Sequence, residues 1–200
     1  DPIQGILLTQ DPIGLAGGGN LYADAGNNPI SFSDPFGLCP EKLTGRPCAT
    51  PLAGVLRLRQ DPGYPNIGRF GMVRNGGTKA HQGNDYSAPL LSPVFSADKG
   101  KVALQGTSST WGNYVVIGHQ NSEGKTVSYT AYMHLTSSAV ANGQEVQPGE
   151  WIGVSGDTGN AKGESPHVHF ELWTSLDAAK KGSGLRDRVN PEPETQPVTE

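Results

Sequence analysis

Residues 164 to 172, ESPHVHFEL, set two histidines two positions apart in a run that otherwise has the pattern of a β-strand. Successive side chains of a strand point to opposite faces, so His167, His169 and Glu171 share one face. The apolar residues that alternate with them share the other face. We therefore expect a strand with one face in the core and a second face that carries groups able to bind a metal.

The rest of the chain has the composition of a protein built from short strands and turns. Hydrophobic residues make up 34% of the 200 residues, with 28 glycines and 16 prolines, which favours strands and turns over long helices. Short apolar runs alternate with turns, and the clearest are residues 94–106, 113–119, 126–135, 151–156 and 167–173. The best candidate for a helical turn is SLDAAKKGSG, residues 175–184. These patterns predict a mainly β domain with little helix.

Charge and hydropathy argue against two classes of partner. The formal net charge is −4 and the pI is about 5.7, so no basic surface for nucleic acid is expected. No apolar run approaches the ~18 residues that a membrane-spanning helix needs. Residues 1–12 lack the basic start and the apolar run of a signal peptide. We expect no nucleic-acid partner and no membrane insertion, and export by another route or as part of a longer protein.

The other histidines provide further candidate ligands. Asp85 follows His81 by four positions, and His134 ends the apolar run 126–135. Two imidazoles and one carboxylate are a common catalytic zinc set, which leaves the fourth position for a water whose pKa falls to about 7. One lone histidine is more often a surface or core residue than a ligand, and we give that interpretation to His119.

Three motifs carry a resemblance to a known family. HQGND (residues 81–85), YMHL (132–135) and SPHVHFE (165–171) resemble, in order and spacing, the lysostaphin/LytM-type zinc endopeptidases, which cut peptide cross-links in bacterial cell walls. The likeness covers residues 68–192. It implies an antiparallel two-sheet or open-barrel domain with long loops.

The same resemblance implies the role of each site residue. His81, Asp85 and His169 match the ligands of one Zn²⁺ per chain, and His134 and His167 match the two catalytic histidines. A histidine on the same strand face as a ligand, ~6.5–7 Å along, is well placed to act on the substrate.

Three positions near these motifs are less determined. Glu171 is a candidate partner for an imidazole N–H, or else a solvated strand charge. Asn84 stands where the family usually has an apolar residue, which alters local packing but removes no ligand. The tyrosine that some members place upstream of the first ligand has no counterpart near Met72, so no residue is assigned to stabilise the oxyanion.

A second resemblance lies at the beginning of the chain. Residues 11–38, from DPIGL to DPFGL, look like the C-terminal end of the core of Rhs/YD-repeat proteins, which encapsulate a variable toxin domain and often cut themselves after the last such motif. The resemblance assigns residues 1–38 to the end of an Rhs core and implies release between Leu38 and Cys39, with Asp11 and Asp34 as the self-cleavage carboxylates. The alternative for both aspartates is turn capping.

The two resemblances together assign the remaining segments. Residues 39–67 are a linker, in which Cys39 and Cys48 are either two free thiols or a small disulfide loop. Residues 193–200 form a Pro- and Glu-rich tail that we expect to be disordered.

The resemblances also predict the function. They imply a secreted antibacterial effector, in which an Rhs shell delivers a peptidoglycan endopeptidase to the periplasm of a target bacterium, often by type VI secretion. The expected partners are the peptidoglycan peptide, the Rhs core shell and an immunity protein. Two alternatives remain open: a wall-binding or activator module without catalysis, and a nuclease toxin, against which the acidic charge balance argues.

Overall fold

The computed structural model describes residues 50–53, 56–121, 123–180 and 184–191. The Rhs-like segment, Cys39 and Cys48, and the tail 193–200 lie outside these residues, so the predictions made for them are not addressed by the structure.

Strands dominate the described residues, which confirms the mainly β prediction. The helical elements among them are short 3₁₀ turns, at Asn75–Gly77, Gly159–Ala161 and Leu176–Lys180, and the last lies in the stretch predicted as a helical turn. No helix in this part of the chain is long and apolar enough to cross a membrane. The strands are β1 (Gly71–Arg74), β2 (Lys79–His81), β3 (Asn84–Ser87), β4 (Pro93–Phe95), β5 (Gly100–Ser108), β6 (Gly112–Gln120), β7 (Thr126–Leu135), β8 (Ser137–Ser138), β9 (Glu145–Val146), β10 (Trp151–Val154), β11 (His167–Trp173) and β12 (Arg188–Val189).

The main sheet has seven strands, and β11 lies inside it. Its order is β12-β11-β7-β6-β5-β9, all antiparallel. Strand β3 shares one edge of β11 with β12, because β3 pairs with residues 167–170 and β12 pairs with residues 172–173. Two smaller sheets accompany it, β4-β10-β8 and the hairpin β1-β2. The described residues thus form three antiparallel sheets, where the sequence predicted two sheets or an open barrel.

Two clusters of buried side chains hold the sheets together. The larger includes Val115, Ile117, Tyr132, Val168 and Phe170, so the apolar face of β11 packs into the core as its alternation predicts. The smaller cluster lies on the opposite side of the main sheet, and its buried members are Val116, Ala131, Met133, Trp173 and Ala178. With a core on each side, β11 is buried along its whole length.

The segment before β1 joins the same domain. The Arg59 N–H donates to the Asp85 carbonyl at 2.8 Å, and the Ser87 N–H donates to the Arg57 carbonyl at 2.8 Å. Leu58 pairs with Tyr86 in an antiparallel bridge. The described part of the predicted linker therefore extends the main sheet beside β3, one strand away from the two histidines of β11.

Candidate metal centre

Strand register brings the predicted metal ligands together. In the β3–β11 ladder Asp85 lies directly opposite His169, while His81 ends the neighbouring β2 strand. The His169 Nδ1 and Asp85 Oδ1 atoms are 2.7 Å apart, and His81 Nε2 lies 3.1 Å from each of them. Four-coordinate zinc with Zn–N and Zn–O bonds of about 2.1 Å separates its ligand atoms by about 3.4 Å. The three atoms therefore converge closely enough to hold one zinc ion.

Partners on the far side of each ring fix which nitrogen faces the metal centre. His81 donates its Nδ1–H to the Arg69 carbonyl at 2.8 Å, which leaves Nε2 free for a metal. His169 donates its Nε2–H to Glu171 Oε1 at 3.0 Å, which leaves Nδ1 free. Such partners fix the tautomer and make the ligand nitrogen more basic.

Glu171 is itself firmly held. Only 1% of the residue is exposed, and its Oε2 accepts hydrogen bonds from Trp173 Nε1 and Arg188 Nε, each at 2.5 Å. Arg188 also donates to the Ala178 carbonyl at 2.9 Å. A buried carboxylate with these partners is a fixed acceptor for His169, whereas a solvated strand charge would be exposed.

The two predicted catalytic histidines lie beside the ligand cluster. The ring centroids of His134 and His167 are 5.1 Å apart, and His167 Nε2 lies 3.9 Å from Asp85 Oδ1. Each ring donates its Nδ1–H to a carbonyl, of Thr158 at 2.9 Å and of Ser165 at 2.8 Å respectively. Both rings therefore keep Nε2 as their free acceptor.

The backbone of His134 is in an uncommon conformation. Its φ is 62°, a left-handed value that costs energy for a residue with a Cβ. The His134 N–H is bonded to the Trp111 carbonyl at 2.8 Å, so the neighbouring loop holds this conformation. Strain of this kind is concentrated at functional sites.

Burial and charge set the protonation of these imidazoles. Burial, together with the nearby His169 and His167, lowers the pKa of His134 to about 3. Burial also lowers the pKa of His167. Burial disfavours a charged His169 too, but the hydrogen bonds and charges of Asp85 and Glu171 outweigh it and raise that pKa to about 9. His134 and His167 are thus neutral at pH 7, and a metal must displace a proton to bind His169.

Gly83 and Asn84, which lie between His81 and Asp85, act through packing. A Cβ on Gly83 would lie 2.3 Å from the Phe170 carbonyl oxygen, so glycine lets this turn pass against β11. The space beside Gly83 is thus occupied by the backbone of β11. Asn84 is fully buried, accepts a bond from the Phe70 N–H at 2.8 Å and donates to the Tyr86 hydroxyl at 3.1 Å.

The structure also brings in charged residues that the motifs do not contain. Arg74, at the end of β1, donates from Nη2 to Asp85 Oδ2 at 2.7 Å, and Arg188 supports Glu171 from β12. Neither has a local sequence signal for this role. Asn75 and Gly76, with φ values of 50° and 67°, are a tight-turn pair that could have predicted the β1–β2 hairpin.

A cavity of about 500 Å³ opens over the cluster. Its wall includes all four of the clustered histidines and Asp85, with Arg74, Lys79, Trp111 and Glu164 around them. His119 does not line it. Both ring nitrogens of His119 are bonded within the fold, to the Lys99 carbonyl at 2.9 Å and to Thr130 Oγ1 at 2.8 Å.

The fold and the site define a β-sheet protein with a His-Asp-His metal centre at the base of a cavity. The profile of Peptidase family M23 matches residues 79–184, just over half of the chain. The chain therefore belongs to Peptidase family M23, and the predictions of a zinc metallopeptidase and a zinc cofactor are confirmed.

Relatives and solved structures agree with this family. The chain is 40% identical over 92 residues to the peptidoglycan DD-endopeptidase ShyA of Vibrio cholerae, covering 46% of this chain and 20% of that protein. It is 38% identical over 93 residues to the DD-carboxypeptidase/endopeptidase Mpg of Neisseria meningitidis, with the same coverage. The chain thus spans about a fifth of the length of these curated relatives.

Two solved structures share the fold. LytU superposes with a TM-score of 0.51 at 25% identity, covering 62% of this chain and 78% of that one. A point mutant of the catalytic domain of the prophage-encoded M23 protein EnpA, from Enterococcus faecalis, superposes with a TM-score of 0.54 at 23% identity, covering 74% and 98%.

Proposed function

We propose that this domain is a zinc-dependent endopeptidase that hydrolyses peptide cross-links of peptidoglycan. One observation carries the proposal: three ligand atoms converge within hydrogen-bonding distance of one another, and two neutral imidazoles present Nε2 beside them in the same cavity. The relatives ShyA and Mpg are named for this class of reaction.

In this proposal His81, Asp85 and His169 hold the metal and Glu171 orients His169. Zinc, when bound, supplies a water of lowered pKa and polarises the scissile carbonyl. His134 and His167 perform the proton transfers. Because their Nδ1–H groups are held by backbone carbonyls, their Nε2 atoms accept a proton on the side of the ligand cluster and can then donate it to the leaving amine.

The direct test is mass analysis of fragments released from purified peptidoglycan by the zinc-loaded protein. We expect products that arise by cutting a peptide bond of the cross-link, and no cut glycan bonds. Binding to the wall without any released fragment would instead favour a module without catalysis.

We further propose that the domain is the toxin of a secreted antibacterial Rhs effector. The support is the resemblance of residues 11–38 to the end of an Rhs core, directly before a domain of a peptidase family. On this proposal the enzyme acts in the periplasm or cell wall of a target bacterium, and the producer makes an immunity protein that binds it.

Processing of the parent protein tests the Rhs proposal. Cleavage should fall between Leu38 and Cys39, and Asp11→Asn or Asp34→Asn should block it, because the reaction needs both carboxylates as acid and base. N-terminal sequencing of the released fragment locates the cut. An uncut wild-type parent, or a cut elsewhere, would count against this proposal.

A further inference from the structure

The β1–β2 hairpin presents two cations to the cavity above the metal centre. Arg74 and Lys79 are directly opposite each other in the hairpin ladder, and both line the cavity. Like charges at opposed positions destabilise a strand pair. The ion pair with Asp85 accounts for Arg74, but the stability of the hairpin gives no reason for a lysine opposite it, whereas an anionic ligand would.

The acidic residues that line the cavity are already paired. Asp85 is bonded to two histidines and Arg74, Glu171 to His169 and Arg188, and Glu164 forms an ion pair with Arg59. In contrast, Lys79 is exposed and makes no ion pair within the described parts of the chain. The uncompensated charge at the cavity is positive, and a bound divalent metal increases it.

Arg74 retains hydrogen-bonding capacity beyond its contact with Asp85. Its Nη2 donates to Asp85 Oδ2, and 25% of its side chain remains exposed where Arg74 lines the cavity. A guanidinium has five N–H donors in a planar fork that suits a carboxylate. Arg74 can thus bind a second carboxylate while it holds the first.

We propose that Arg74 and Lys79 form a subsite for a carboxylate of the substrate, next to the scissile bond. The proposal rests on the proposed endopeptidase function and names its substrate class: cross-links in which the carbon attached to the scissile nitrogen also carries a free carboxylate. That carboxylate lies about 3–4 Å from the scissile carbonyl carbon. Arg74 Nη2 lies 2.7 Å from Asp85 Oδ2, and the other oxygen of this carboxylate belongs to the ligand cluster. The distance from the guanidinium to the metal centre is therefore similar to the distance from the substrate carboxylate to the scissile carbonyl.

Two cross-linked peptide dimers that differ in this one group provide the test. In a cross-link through meso-diaminopimelate the carbon on the scissile nitrogen carries a carboxylate, and in a cross-link through lysine it carries hydrogen. The zinc-loaded protein should cut the diaminopimelate dimer with a kcat/KM at least about tenfold higher, the usual effect of one charge-assisted hydrogen bond. Lys79→Gln should reduce this preference mainly by raising KM for the diaminopimelate dimer.

Control variants separate the subsite from other effects. Lys125→Gln removes an exposed lysine of the β6–β7 turn and should keep the full preference. Arg74→Gln should also reduce the preference, and its zinc content is measured in parallel because Arg74 contacts Asp85. If that variant loses zinc, Lys79→Gln alone decides the result.

Equal cleavage of the two dimers by the wild-type protein would overturn the proposal, as would a preference that Lys79→Gln leaves unchanged. Both results leave the endopeptidase function intact. If the protein cuts neither dimer, the proposed function itself fails, and the subsite proposal fails with it.

Discussion

Each of the four clustered histidines uses one ring nitrogen for a partner inside the protein and keeps the other for the cavity. The partners are the carbonyls of Arg69, Thr158 and Ser165 and the carboxylate of Glu171. His169 differs from the others because its partner is negatively charged and binds Nε2. The kind of partner does not separate ligands from catalytic residues, because a metal-binding histidine can donate to a carboxylate or to a backbone carbonyl. Position separates them, since the free Nε2 of His81 lies 3.1 Å from both Asp85 Oδ1 and His169 Nδ1, inside the ligand cluster.

At the residue scale, alanine substitutions should therefore divide into two groups. His81→Ala, Asp85→Ala and His169→Ala should lose the single zinc, because each removes a ligand. His134→Ala and His167→Ala should keep zinc and lose about 10²–10⁴-fold in activity, the usual contribution of a positioned acid–base group. Zinc per chain is measured by atomic spectroscopy beside the rate of muropeptide cleavage. A His167→Ala variant without zinc and a His169→Ala variant with zinc would reverse the assigned roles.

At the scale of single elements, β11 determines the site through its two edges. One edge pairs with β7, so that His169 lies opposite Met133 of β7, one residue before His134. The other pairs with β3, which places Asp85 opposite His169. A shift of one residue in either ladder would turn these side chains to the wrong face, so the packing of β3 against β11 governs metal binding.

Gly83→Ala tests this packing. The added Cβ would meet the Phe170 carbonyl oxygen at 2.3 Å and Glu171 Cγ at 2.8 Å, so the turn must move away from β11. We expect a loss of about 1–3 kcal/mol in the free energy of unfolding, together with weaker zinc binding in chelator competition.

Gly184→Ala is the matched control, since a Cβ there meets nothing closer than 4.0 Å. It should change neither the free energy of unfolding nor that of zinc binding by more than about 0.5 kcal/mol. Equal effects of the two substitutions would show that contact with β11 is not the cause.

His119 in β6 gives a second prediction, for the pH dependence of stability. Burial lowers its pKa below the ordinary 6.5, so the unfolded chain binds the proton more tightly than the folded one. The stabilisation from neutral His119 is therefore complete above about pH 6.5 and is lost as the pH falls below that value through the lowered folded pKa.

Urea unfolding of the wild-type protein and His119→Gln, from pH 7.5 to pH 4.5, measures this effect. The metal-site groups titrate alike in both proteins, so their contributions cancel when the two free energies of unfolding are subtracted. The wild-type advantage should be about 1–2 kcal/mol at pH 7.5 and should shrink as the pH falls. A difference that does not change with pH would contradict the prediction.

At the scale of the whole molecule, the proposed substrate predicts in which compartment the protein should be toxic. Peptidoglycan cross-links lie outside the inner membrane, and folded cytoplasmic proteins rarely offer a flexible peptide that fits the cavity. Expression of residues 39–200 in a Gram-negative host should therefore be harmless without an export signal. With such a signal, cells should round or lyse, and His169→Ala should abolish the effect.

Microscopy and colony counts measure both arms of this experiment. Strong toxicity of the unexported protein would contradict a wall hydrolase and bring back the nuclease alternative, which a plasmid-degradation assay would then test.

The sequence by itself determined the strand class, the candidate ligands and the alternation of β11, because each depends on neighbours a few positions apart. The two-residue period of a strand sorts His167, His169 and Glu171 from the apolar residues between them, and no distant information is needed. The order and spacing of the three motifs, through their resemblance to the endopeptidase family, add His81, Asp85 and His134 to the candidate site residues.

Only the tertiary structure decided how these groups are held. The pairing of Asp85 with His169 joins strands 84 residues apart in the chain, and the support of Glu171 by Arg188 depends on β12 closing the same edge. Arg74 reaches Asp85 from a different sheet. Contacts of this kind depend on strand register and sheet packing, which the local pattern of side chains does not encode.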